Sequence, residues 1–287
     1  GDMKRARILS TGRYLPPRVV TNFDLMKLMD TTDEWIQQRT GIIKRHYVDE
    51  GVGTADLGVF ASQRALEKAG LKPGDIDFII FATLSPDYMM PGSGCIMQDK
   101  LGMDTIGALD VRNQCSGFIY SLAIADQFIR NGIYEHILVV GAEVHSTGLD
   151  FSTRGRDVTV LFGDGAGAVI VGPSNEEEHS ILSSHLHAEG KYFRELWAEA
   201  PGCIYHPRMT HEMLDEGRHY PKMNGRMVFK HAINRFTEVI REAVDANGLK
   251  VSDIDLLIPH QANLRISEFV ANGLEIPPEK VYNNIQR

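Results

Sequence analysis

Residues 65–80 read ALEKAGLKPGDIDFII, and residues 243–258 read AVDANGLKVSDIDLLI. Eight of the sixteen positions are identical, GLK and DID among them, in copies that begin 178 residues apart at Ala65 and Ala243. Each copy runs an amphipathic segment up to a glycine, a polar turn, and then an apolar run. That run is Phe78, Ile79, Ile80 and Phe81 in the first copy, and Leu256, Leu257 and Ile258 in the second. Such a pattern predicts the end of a helix, a turn, and a buried strand. A repeat carried through all three implies a chain of two related α/β halves, placed here at 3–173 and 174–287. The same offset sets Arg287 against position 109, whereas the first copy continues through apolar runs at 133–140 and 168–171. The second half is therefore expected to lack its last elements.

Outward from the first copy, short apolar strands alternate with helices. Residues 105–111 and 133–140 have strand patterns, and 115–130 has apolar residues at helical spacing (Phe118, Leu122, Ala125, Ile129) closed by Asn131 and Gly132. Alternation of this kind implies a mixed sheet covered on both faces.

Composition narrows the function classes. With 287 residues, 43% of them hydrophobic, the chain can bury a sizeable core without covalent staples. Its three cysteines (Cys95, Cys115, Cys203) are odd in number and widely spaced, against a disulfide framework or structural zinc site. A net charge of −8 disfavours nucleic acid as a partner. No basic-then-apolar leader or membrane-length apolar run is read, so a cytoplasmic address without a membrane partner is expected.

Two residues draw chemical interest. Cys115 follows a strand directly and precedes a helix, where unpaired N–H groups favour a thiolate and can hold an oxyanion; the alternative is a buried structural cysteine. His260 stands at the end of the second copy's strand run, a position where ligands collect in α/β folds. The glycine-rich 163–168 (GDGAGA) lacks a following Lys-Ser/Thr and leads into a strand, so it is read as close backbone packing rather than a phosphate loop. His206, His211 and His219 have no metal-ligand spacing and are read as surface residues.

Four motifs in order now resemble one family: 31–42 (TTDEWIQQRTGI), 110–118 (DVRNQCSGF), 161–168 (LFGDGAGA) and 259–266 (PHQANLRI). Together they resemble the β-ketoacyl-acyl-carrier-protein synthase III family, from about Ile8 to the last residue. The resemblance implies an α/β thiolase fold: two pseudo-symmetric βαβαβαββ halves in five layers (αβαβα), the second incomplete here, in a homodimer. It implies a decarboxylating Claisen condensation that starts fatty-acid chains. An acyl-CoA acylates Cys115, malonyl-acyl carrier protein loses carbon dioxide, and the resulting enolate attacks the acyl-enzyme. His260 would stabilise the enolate oxygen, and no cofactor is required beyond these substrates.

The same resemblance carries over further residues. Trp35, Arg39 and Arg154 would hold the adenine and phosphate end of CoA, with Gly225, Phe229 and Asn263 along the pantetheine channel. Gln261, Ala262, Asn263, Leu264 and Arg265 would form the acyl-carrier-protein docking segment, with Lys230 beside it. The family's catalytic asparagine lies in a Gly-Asn-Thr/Ser motif that neither Asn283 nor Asn284 matches, so the isolated chain is expected to condense weakly or not at all. Departures bear on the acyl group. Arg112, Asn113 and Gln114 precede the cysteine where small residues are usual. Met90 replaces a frequent phenylalanine of the acyl pocket, and 190–222 is longer than usual. A medium or long acyl donor is the expectation. Non-decarboxylating condensation, other acyl transfer and a non-catalytic acyl-binding subunit stand as alternatives.

Overall fold

The computed structural model describes residues 4–176 and 179–287. Its elements run β1 (Arg5–Tyr14), β2 (Arg18–Thr21), α1 (Asn22–Met26), α2 (Asp33–Thr40), β3 (Lys44–Tyr47), α3 (Thr54–Ala69), β4 (Phe78–Ala82), α4 (Ser93–Lys100) and β5 (Gly107–Val111). They continue with α5 (Gly117–Arg130), β6 (Ile137–Glu143), α6 (Arg156–Thr159), β7 (Gly165–Ser174), β8 (Leu196–Trp197), α7 (His211–Asp215), β9 (Lys222–Met223), α8 (Gly225–Ala246) and α9 (Leu264–Gly273). The described residues divide into two compact units that interleave along the chain. One takes the chain up to Arg18 with His46–Val144 and Gly163–Leu186; the other takes Val19–Arg45, His145–Phe162 and His187–Arg287.

The first unit is a mixed five-stranded sheet in the order β1-β7-β6-β4-β5. Strands β5, β4 and β6 are parallel, whereas β7 and β1 join antiparallel. Successive side chains of a strand point to opposite faces, so one apolar run feeds two cores. Ile79 and Phe81 join Leu138, Val140 and Ile170 on the face covered by α3 and α4. Ile80 joins Ile137, Val139, Val169 and Val171 on the face covered by Ala125 and Ile129 of α5. Each such side chain contributes about 1.5–3 kcal/mol when fully buried, which explains why the runs contain almost nothing polar. The mixed, doubly covered sheet expected from the sequence is therefore present.

In the second unit, α8 carries Phe229, Ile233, Phe236 and Ile240 at helical spacing against Ile266, Val270 and Leu274 around α9. A separate cluster gathers Leu25, Met29, Ile36, Ile42 and Val160. Helix α2 ends on Gly41, whose φ of 77° is the left-handed cap that glycine adopts without a Cβ penalty. A Cβ there would lie 2.7 Å from both Cβ and Cδ2 of Leu264. Gly41→Ala combines backbone strain with overpacking and is expected to lower stability by about 2–4 kcal/mol, measured by urea unfolding.

The repeated segments fold alike through the turn. Gly70 and Gly248 both take positive φ, 66° and 65°. Leu71 N–H then donates to Leu66 O (3.0 Å), as Leu249 N–H does to Val244 O (2.8 Å). Asp75 Oδ2 accepts from Lys72 N–H, and Asp253 Oδ2 from Lys250 N–H, each at 2.8 Å. The copies diverge afterwards. β4 is paired on both sides, but among the described residues Leu257 forms only an isolated parallel bridge with Val281. Leu256 and Ile258 are 51% and 67% exposed, so the buried strand expected over 256–258 is corrected to a single rung. An apolar run becomes a strand only where neighbours accept its ladder.

Candidate active site

Cys115 is positioned by the end of β5 and the start of α5. The chain leaves Val111, passes Gln114 in the left-handed region (φ 49°), and makes the 3-10 turn Gln114–Ser116 before α5 begins at Gly117. A non-glycine residue at positive φ costs on the order of 1 kcal/mol and recurs where function requires a fixed geometry. Asn113 and Ser116 close the turn: Asn113 Nδ2 donates to Ser116 Oγ (2.8 Å), which donates to Asn113 O (3.0 Å). Gly117 is buried, and a Cβ on it would come within 3.3 Å of Ala82 Cβ. The turn thus lies over the end of β4, the strand next to the sheet edge.

Solvent reaches Cys115, yet protein crowds the sulfur. Burial pushes its thiol up, the Glu143 charge pushes it further, and its own backbone N–H pulls only weakly the other way. The thiolate expected from the helix terminus is therefore corrected. The first regular helical turn starts two residues later, and burial is the largest influence on the thiol. Glu143, which the sequence reading missed, ends β6. Its carboxylate accepts from Thr83 Oγ1 (3.0 Å), Leu84 N–H (3.0 and 3.2 Å) and Ser85 Oγ (2.5 Å). Burial holds its carboxyl above the usual range against these bonds. The available signal was an acid closing an apolar strand, ILVVGAE.

The loop after β4 is pinned at its far end too. Asp87 accepts from Ala55 N–H (3.0 Å) and Ser93 Oγ (2.7 Å), and Asp110 from the N–H groups of Ser93 and Gly94 (2.7 and 2.9 Å). Between these anchors Tyr88, Met89 and Met90 stand 65%, 77% and 79% exposed. The 163–168 motif supplies Gly165, Ala166 and Gly167 opposite Glu143, Ala142 and Gly141 in the ladder, in keeping with its packing role.

The second unit holds the other residues singled out. Trp35 lies on α2 with the Arg39 guanidinium 4.7 Å and the Arg156 guanidinium 5.9 Å from its ring. Arg154 Nε donates to Asp150 Oδ2 (2.7 Å), and its guanidinium lies 5.7 Å from the Tyr220 ring. Gly225 opens α8, and Phe229 follows one turn on, its ring 6.3 Å from Phe269. His260 is touched by solvent but crowded, and burial lowers its imidazole pKa, favouring the neutral form.

The 261–265 segment is largely engaged within its own unit. Gln261 Nε2 donates to Pro259 O and accepts, through Oε1, from Asn284 N–H. Ala262 is half-buried, and Asn263 caps α9 through Oδ1 to Arg265 N–H (2.8 Å). Arg265 donates to Gln38 O (2.9 Å), Gln37 O (3.0 Å) and Glu268 (3.0 Å), holding the carbonyl end of α2. A depression of about 550 Å³ lies here, lined by Asp33, Glu34, Gln37, Gln38, Gly41, Ile43, Leu264, Arg265 and Gln286. Among the described residues no group of His, Cys, Asp and Glu could hold a metal ion, and no helix is long and apolar enough to cross a membrane.

Comparison with known proteins identifies the fold and family. Residues 109–190 match the family described as 3-oxoacyl-[acyl-carrier-protein] synthase III, and 244–287 match its C-terminal region. A β-ketoacyl-[acyl-carrier-protein] synthase III of Caldanaerobacter subterraneus is 45% identical, across 98% of this chain and 84% of that protein. Its counterpart in Koribacter versatilis is 39% identical, across 100% and 85%. The crystal structure of the Aquifex aeolicus 3-oxoacyl-[acyl-carrier-protein] synthase III is similar at TM-score 0.88 and 41% identity, covering 98% of this chain and 85% of that one. The fold is thus that of the α/β thiolase-like condensing enzymes, which are acyltransferases working by Claisen condensation. Within that class, the chain belongs to the β-ketoacyl-acyl-carrier-protein synthase III family.

Proposed function

We propose that this chain starts acyl chains by condensing an acyl-CoA with malonyl-acyl carrier protein, with Cys115 as the acylated nucleophile and His260 as the group that stabilises the enolate. The carrying observation is Cys115 on a tight turn over the end of β4, in a segment that the family description covers. Its sulfur attacks the acyl carbonyl, a carbon–sulfur bond forms, and CoA leaves carrying the thiol proton. The malonyl thioester then loses carbon dioxide, and its enolate carbon attacks the Cys115 thioester, forming the carbon–carbon bond and breaking the carbon–sulfur bond; the sulfur leaves as thiolate and takes a proton from solvent. A neutral imidazole suits this role, since it donates a hydrogen bond to developing negative charge without first losing a proton. The lowered pKa of His260 supports that state.

Trp35 with Arg39, and Arg154 beside Tyr220, supply an aromatic face and cations for the nucleotide end of CoA. Gly225, Phe229 and Asn263 would border the pantetheine arm. Gln261, Ala262, Leu264 and Arg265, with Lys230, would meet the acidic carrier, although the bonds of Arg265 to α2 leave it little freedom. The exposed Met90 fits a medium or long acyl group. β5 is the sheet edge, with Leu109 37% exposed, which suits pairing with a second copy in a homodimer. The halves 3–173 and 174–287 describe the repeat, not the contact units, and a cytoplasmic location fits the chemistry.

Carbon dioxide release from carboxyl-labelled malonyl-acyl carrier protein tests the reaction. Acyl-donor-dependent release, with one product ketone per carbon dioxide, is expected. Product without release would mean condensation of two acyl thioesters instead.

A further inference from the structure

Five residues, 112–116, join the end of β5 to the start of α5, and Cys115 is the fourth of them. Both ends of this turn are fixed to β4. Val111 O accepts from Thr83 N–H (3.1 Å), and Gly117 packs so closely that a Cβ on it would meet Ala82 Cβ at 3.3 Å. Between those anchors Arg112 and Gln114 carry exposed side chains, so packing does little to fix the path of the backbone. Hydrogen bonds cross the turn instead. Gly117 N–H donates to Gln114 O, and Asn113 and Ser116 form a closed brace. Asn113 Nδ2 donates to Ser116 Oγ (2.8 Å), and the Ser116 hydroxyl donates back to Asn113 O (3.0 Å). The brace encloses two residues: Gln114, in the left-handed region at φ 49°, and Cys115. A residue with a Cβ occupies that region only where its surroundings hold it there.

We infer that Asn113 and Ser116 are positioning residues for the acylation of Cys115: their two-bond brace keeps Gln114 left-handed and so aims the sulfur that it encloses. The Ser116 proton points to Asn113 O, so the hydroxyl acts on the backbone rather than on the thiol. The step affected is the first one. The Cys115 sulfur bonds to the acyl carbon, the bond from that carbon to the CoA sulfur breaks, and the CoA thiol takes the proton. Such an attack needs reacting atoms about 3–3.5 Å apart and aligned, and a misplacement of about 1 Å can cost ~10²-fold. The direction of the Cys115 side chain is set by the backbone angles of 114–116, so a loosened turn moves the sulfur without altering its chemistry. The brace also gives Asn113 a role at a position where small residues are usual, since an alanine there has no donor for Ser116.

Intact-mass time courses across octanoyl-CoA concentrations give the acylation rate constant and the half-saturating concentration separately, and alkylation by iodoacetamide reports the thiol itself. Ser116→Ala removes both bonds, so acylation at saturation should slow by about 10-fold, with half-saturation and alkylation each within about twofold of the parent. Ser116→Thr keeps the hydroxyl and should restore acylation. Asn113→Ala leaves the bond from Ser116 to Asn113 O and should cost less, about 3-fold. The double variant Asn113→Ala with Ser116→Ala should acylate no more slowly than Ser116→Ala, because both bonds are already gone. Four results overturn the proposal: parental acylation in Ser116→Ala, no recovery in Ser116→Thr, multiplied losses in the double variant, or alkylation slowed as much as acylation. Ser116 is exposed, and cooperative urea unfolding checks each variant. Should Ser116→Ala not fold, parental acylation in Asn113→Ala overturns the proposal alone. The proposal rests on Cys115 being the acylated residue. A parent that takes no octanoyl group, or a Cys115→Ala variant that takes it equally, removes that reading and this one with it; an acylated parent with uniform variants removes only this one.

Discussion

Cys115→Ala is expected to abolish the acyl-enzyme and to lower condensation by ~10³-fold or more, the scale seen when a covalent nucleophile is deleted. The size follows from the division of labour. On the proposed mechanism the sulfur carries the acyl group between the two half-reactions, and Cys95 and Cys203 lie outside the strand-to-helix segment that holds Cys115. The fold should survive, because alanine fits a solvent-touched position and Gly117, which packs on Ala82, is untouched. Circular dichroism and urea unfolding indistinguishable from the parent, together with lost turnover of acyl-CoA and malonyl-acyl carrier protein, are the expected pair of results. Residual turnover within tenfold of the parent would remove Cys115 from the mechanism.

His260→Ala should spare acylation and strike the second half-reaction. Loss of one donor to a developing oxyanion costs ~10²–10³-fold in kcat, so the variant should accumulate acyl-Cys115 while releasing carbon dioxide slowly. The parent's pH profile follows from the direction of the shift. A histidine whose pKa is lowered stays neutral to more acid pH than an ordinary imidazole at about 6.5. Condensation should therefore persist below that value and fall only as pH drops through the lowered pKa. A rate that instead falls as pH rises through the imidazole range would mean that His260 acts as a cation, and an acid limb centred above the ordinary value would contradict the lowered pKa. Single-turnover measurements from pre-acylated enzyme isolate this step.

Much of the architecture was legible in the sequence because local signals and packing agree. The GLK and DID repeat encodes two like turns, each with an aspartate closing onto a lysine N–H. The apolar runs near 79–81 and 137–140 feed two faces of one sheet. The strand-to-helix passage through Cys115 was visible in the spacing of Phe118, Leu122, Ala125 and Ile129. The apolar spacing could not tell that residues 256–258 would find only Val281 as a ladder partner, since strand formation depends on neighbours distant in sequence. The ionisation of Cys115 escaped for the same kind of reason. A helix terminus is a local signal, whereas crowding and the Glu143 charge come from strands brought together by the sheet. The residue type of Arg265 was legible in its motif, whereas its hydrogen bonds to the end of α2 depend on residues 227 and 228 positions away in sequence.

The most direct test of the account is intact mass after incubation of the protein with acetyl-, octanoyl- and palmitoyl-CoA. The account predicts one acyl group added per chain, mapped to the peptide containing Cys115, with octanoyl or palmitoyl favoured over acetyl. No adduct with any donor from the folded protein, or an adduct that persists in Cys115→Ala, would contradict it.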